Sequence, residues 1–125
     1  MRTYSVLALA FCSACGKSSQ ALGGQEAAAD SVITAAAAGN WSRVKALTRG
    51  LDAESRFEAM ARDEPLLLRQ ASGHLTVVDS HAIDADSSYV SFRFPYRDST
   101  EVFDMRLGRD KGQWIVYYVT LPRRM

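Results

Sequence analysis

The chain has 125 residues, 47% of them hydrophobic and 23% charged, with 15 basic and 14 acidic side chains and a formal net charge of +1. That composition describes one globular domain and excludes a disordered or fibrous chain, while the balanced charge excludes the general attraction that nucleic acid or an anionic membrane surface exerts on a basic protein. No apolar run approaches the ~18 residues of a membrane-spanning helix, and a chain of this length buries roughly two-thirds of its unfolded surface without needing metals or disulfides.

The first segment, MRTYSVLALAFCSACG, places Arg2 before an apolar stretch from Val6 to Phe11 and the small residues Ser13 and Ala14 before Cys15. Positive, apolar, small is the order of a secretory signal. Ser13-Ala14-Cys15-Gly16 resembles the lipobox of bacterial lipoproteins, with Cys12 standing where leucine is usual. That resemblance implies cleavage before Cys15, diacylglyceryl and palmitate chains on the new N-terminus, and a protein facing the periplasm. Gly16, in place of an aspartate, implies the outer membrane. Two other readings compete. A redox C-x-x-C of Cys12 and Cys15 requires a strand–turn–helix frame that this segment lacks, and an ordinary signal cut near Ala14 would leave no lipid. Residues 1–14 are therefore expected as a signal peptide and 15–25 as a lipidated cysteine and polar, glycine-rich tether. Residues 26–125 are expected as a single domain, free of cysteine as an oxidising compartment favours.

The alanine-rich run from Glu26 to Ala38 predicts a helix with Val32, Ile33, Ala36 and Ala37 at helical spacing. Gly39 ends it and Asn40 caps the next helix, Trp41 to Thr48, which aligns Trp41, Val44 and Leu47. A third helix is predicted from an Asp52 cap to about Ala61, with Phe57 and Met60 inward. A short fourth begins at Pro65.

After Gly73 the pattern turns to strands. HLTVVDSHAIDA is a β-rich run. SSYVSFRFPYR alternates Val90, Phe92, Phe94 and Tyr96 against Ser91, Arg93 and Arg97, and EVFDMRLG sets Phe103, Met105 and Leu107 against Asp104 and Arg106. QWIVYYVTLP is apolar on both faces and predicts cover on both. The connections DADSS, RDST and GRDKG have hairpin length. The fold class is α+β: a helical hairpin and short helices packed on a curved antiparallel four-stranded meander.

Alanine-rich helix, Gly39-Asn40-Trp41 with Val44 and Leu47, further helix, and four strands closing on Gly112-Gln113-Trp114 and its apolar tail resemble the nuclear-transport-factor-2-like fold, also called ketosteroid-isomerase-like or cystatin-like. More narrowly the chain resembles small bacterial lipoproteins of that fold. The resemblance spans about residues 26–121. It implies a cone-shaped sheet around the helices with a pocket at the open end, and no single activity, since the fold hosts enzymes, binding modules and dimerisation domains.

Isomerase chemistry on this fold needs a carboxylate base and a donor pair in an apolar pocket. Asp79, Asp84 and Asp104 are the candidate carboxylates and Tyr117 and Tyr118 the candidate donors. Alternation places Asp104 beside Arg106 on a solvated face, and places Asp79 and Asp84 on opposite faces unless a bulge intervenes. His81 shares a face with Asp79, but His74, seven residues earlier, does not, so the three or four ligands of a zinc site do not assemble. No metal, cofactor or catalytic residue is expected. Arg93, Arg97 and Arg106, with Tyr89, form instead a candidate partner-binding stripe, since arginine and aromatic residues are enriched at interfaces. The expected function is thus a non-catalytic, membrane-anchored periplasmic lipoprotein. Its partner would be a cell-envelope protein or a toxin that it neutralises as an immunity protein, and the sheet face also admits a homodimer. The alternatives are a module holding a small apolar ligand in the cone and, weaker, an isomerase-like enzyme. Large aromatics filling the cone would count against both.

Overall fold

The computed structural model describes residues 23–125; the expected signal peptide and Cys15 lie outside the described residues. Helix α1 spans Gly24–Ala37, α2 Trp41–Leu47, α3 Leu51–Asp63 and α4 Pro65–Ala71. α1 starts two residues before the expected Glu26, where the Glu26 carboxylate reaches back to accept the Gly23 N–H and caps the helix. Asn40 caps α2 as expected, its Oδ1 accepting from the Arg43 N–H at 3.3 Å. The α3 start differs. Gly50, at φ 84°, makes the turn that an L-residue avoids, so the helix begins at Leu51 and Asp52 falls in its first turn, where a carboxylate complements the helix dipole. α4 opens on Pro65, whose missing N–H is not needed there.

The strands are β1 Thr76–Asp84, β2 Ser87–Tyr96, β3 Ser99–Asp110 and β4 Gln113–Val119, an antiparallel sheet in chain order. A fifth short strand, β5 Arg123–Arg124, also pairs with β3, setting Arg124 across from Glu101 and Arg123 across from Val102. It goes beyond the four strands expected. The chain leaves the ladder at Leu121 and Pro122, which has no N–H to contribute, and then rejoins it. The β3–β4 turn at Lys111 and Gly112 has φ 55° and 79°; two positive values in a two-residue loop match the right-handed strand twist.

Directly paired residues share a sheet face. One face carries Val90, Phe92, Phe94, Phe103, Met105, Leu107, Val116 and Val119, all buried, and α1, α3 and α4 pack on it with Ile33, Phe57 and Leu68. The Phe103 ring lies 5.9 Å from that of Phe92 and 5.7 Å from that of Phe94. The alternation expected of β2 and β3 holds over these residues. It fails in β4, where an extra residue, Tyr117, interrupts the register between Val116 and Tyr118. Tyr117 and Tyr118 are 45% and 39% exposed, so the cover expected on both faces of this strand is incomplete.

Candidate functional site

Two places collect the polar and aromatic groups that the core leaves out. The first is the outer sheet face. Register aligns Asp79 with Ser91 and Asp104, and His81 with Tyr89 and Arg106. Ser91 Oγ donates to Asp104 Oδ1 at 2.7 Å, Arg123 Nη1 lies 3.0 Å from Asp104 Oδ2, and the Asp104 N–H donates to Thr120 Oγ1 at 2.9 Å. His81 Nδ1 sits 3.3 Å from Asp79 and its ring 5.1 Å from that of Tyr89. Burial raises the Tyr89 phenol pKa above its ordinary value, and the hydrogen bond to Asp104 adds to the rise. Burial also pushes the Asp104 carboxyl up, but hydrogen bonds from Ser91, Tyr89 and Arg123, with the Arg123 charge, outweigh it and leave the group below the usual carboxylate range. Asp104 is thus no simply solvated side chain, as alternation had suggested: it is 16% exposed and ties β2, β3 and β5 together.

A bulge at Ile83 moves Asp84 into line with Ser87, which brings Asp84 to the same face as Asp79. The bulge that alternation alone did not contain is therefore present. It does not make a carboxylate pair: Asp84 Oδ1 accepts the Asp86 N–H at 2.8 Å in the turn, and Asp79 is engaged by His81. His74 lies outside the sheet, after α4, with Nδ1 2.9 Å from the Gln70 carbonyl oxygen. Tyr117 packs against Gly108, where an added Cβ would come within 2.8 Å of its ring, and Tyr118 carries the Arg56 guanidinium 5.5 Å from its ring centre. The residues considered for acid–base chemistry do not converge.

Of the predicted partner stripe, Arg93, Arg106 and Tyr89 occupy the outer face. Arg97 does not. It sits in the β2–β3 turn at φ 56°, its guanidinium 5.0 Å from the Tyr96 ring centre. The alternation of β2 ends at Tyr96, so counting onward to Arg97 assigns a face where no strand exists. Glu101 pairs with Phe94 on the opposite, core-facing side and is 8% exposed.

The second place is a cleft of about 660 Å³ at the β2–β3 end of the sheet, lined by Glu64, Leu66, Tyr96, Arg97, Glu101 and Arg124 among others. Sequence reasoning missed it, because it joins the α3–α4 junction, a hairpin turn and the C-terminal strand.

No protein-family model matches the chain and no curated protein matches it. Among solved structures it is similar to an NTF-2-like protein of unknown function from Shewanella oneidensis MR-1, at 11% identity and a TM-score of 0.51, over 75% of this chain and 92% of that one. Four helices on the covered face of a curved antiparallel meander, with a solved structure that superposes on them, establish that this chain has the nuclear-transport-factor-2-like fold.

Proposed function

We propose that this chain is a non-catalytic binding protein, held at the outer membrane through a lipidated Cys15 and presenting its domain to a protein partner in the periplasm. One observation carries the reading. The space between helices and sheet, where a ligand or substrate would be enclosed, is filled by Phe57, Phe92, Phe94 and Phe103, each no more than 1% exposed. General acid–base chemistry draws on desolvated groups in a site that excludes water, whereas Asp79 and His81 are each 54% exposed on the outer face. A sheet face bearing Arg93, Arg106 and Tyr89 suits contact with a protein. A tether raises the effective concentration of such a module near envelope partners without any new contact. The partner is an envelope component or a toxin neutralised at the membrane; self-association through the same face is a second form of the same contact.

Crosslinking in intact membranes tests this, with the wild-type chain against Arg93→Ala/Arg106→Ala. The wild type should crosslink through the outer face to one partner. The double variant should lose that product with its circular dichroism unchanged, since an interface arginine contributes on the order of 1 kcal/mol or more. An unchanged crosslink, or a small molecule retained stoichiometrically by the purified protein in native mass spectrometry, would overturn the reading.

A further inference from the structure

The cleft at the β2–β3 end holds a buried acid with an incomplete set of partners. The Glu101 side chain is 10% exposed and sits across the ladder from Phe94, itself fully buried. Its Oε2 accepts from Ser99 Oγ at 3.1 Å. The Arg124 Nε lies 4.0 Å away, beyond hydrogen-bond reach, on a side chain 79% exposed. Among the described residues, Oε1 accepts no hydrogen bond. A carboxylate withdrawn from water without full compensation is costly, and a donor entering the cleft would supply what is missing.

The surroundings indicate the donor. Arg123 is engaged by Asp104 and Asp63 by Arg62, which leaves Glu64, Asp98 and Glu101 facing Arg97 and Arg124, an excess of negative charge. The walls include Pro65, Pro122 and Leu66, the last 55% exposed. A charged head on an alkyl stem fits acid at the floor and apolar walls above it. The Arg97 guanidinium over Tyr96 shows that the rim accepts a cation on an aromatic face. A divalent metal is a poorer match, since calcium takes six or more oxygen ligands.

We propose that this cleft binds an ammonium or guanidinium group with Glu101 as its acceptor, and that the group is a lysine or arginine side chain of the protein partner. The inference rests on the binding reading above and names a second contact for it. Position supports it. Gly24 packs against Trp114, which pairs with Arg109 near the β3–β4 turn, so the described chain enters the domain at the end of β3 opposite the cleft. The 12 residues of β3 separate the two ends by roughly 35 Å at the usual strand rise. A tether leading into Gly24 would therefore attach at the end remote from the cleft and leave the cleft open to a soluble partner.

The test is a calorimetric titration of the full lipidated chain in detergent with N-acetyl-lysine amide, N-acetyl-arginine amide and, as the uncharged control, N-acetyl-norleucine amide. Butylamine serves as the free-amine probe. The two cationic amides should bind and norleucine should not. Glu101→Gln should weaken them about tenfold or more, the usual scale for a charge-assisted hydrogen bond. Arg124→Ala removes the resident guanidinium and should tighten binding, whereas Arg109→Ala, which removes a charge at the far end of the sheet, should leave it unchanged. The contrast between Arg124→Ala and Arg109→Ala keeps the test decisive even if Glu101→Gln unfolds. Equal binding of norleucine, or a response to Arg109→Ala as large as to Arg124→Ala, would overturn the site. Butylamine binding as tightly as the amides would overturn the side-chain source. Cleft binding that survives while the membrane crosslink is absent would sink the parent reading alone.

Discussion

Asp104 shows how one side chain acquires a role that its neighbours in sequence do not announce. Register places Ser91 and Tyr89 within reach, and the return of the chain after Pro122 brings Arg123. Its folded pKa lies below the ordinary value, so the ionised carboxylate contributes stability above the unfolded pKa of roughly 4. That contribution is lost as pH falls through the lower folded value. Asp104→Asn should therefore be less stable than wild type at neutral pH, with the gap in urea midpoint narrowing as both are acidified below about pH 4. A gap that stays constant down to strong acid would show that the carboxylate is not held by these donors.

Strand β2 carries the element that most determines the interior. Val90, Phe92 and Phe94 project onto the helices, and the last two meet Phe103 of β3. Aromatic pairs at these separations add to the area they bury. Phe94→Ala should cost about 3–5 kcal/mol, the range for a buried phenylalanine whose cavity cannot collapse, as read from chemical denaturation. A loss under about 1 kcal/mol would mean that this face is not packed. Arg93, on the outer face of the same strand, tolerates change for the opposite reason: it is exposed and takes no part in the core.

At the scale of the whole molecule the proposed function divides the work in two: lipid on Cys15 would set location, and the domain beginning near Gly24 would set what is bound. Cys15→Ser should release the protein from membranes, and Cys12→Ser should not, since Cys12 would lie in the discarded peptide. Fractionation and intact mass of the membrane-extracted chain check both. Wild-type protein recovered soluble and unmodified would remove the anchor and leave the domain's properties untouched.

Periodicity alone determined much of this fold. The alternation of Phe92 and Phe94, and of Phe103 and Met105, marks a half-covered sheet, and the Asn40 cap and Pro65 helix start are local chemistry that the surrounding chain does not alter. The helical half, the stranded half and the hairpins between them follow from such short-range signals. Only the tertiary structure decided what depends on residues far apart in the chain. The extra residues at Ile83 and Tyr117 shift each strand past its partner and reassign faces, which a count along one strand cannot reveal. The turn at Arg97 carries that arginine off the face that alternation had extended to it. The short β5 pairing sets Arg123 against Asp104 and Arg124 beside Glu101. The cleft exists because three segments, from α3–α4, the β2–β3 turn and the C-terminus, meet at one end of the sheet. Side-chain pattern reports what each segment buries, whereas register and closure fix which polar groups meet, and those depend on the packing of the whole chain.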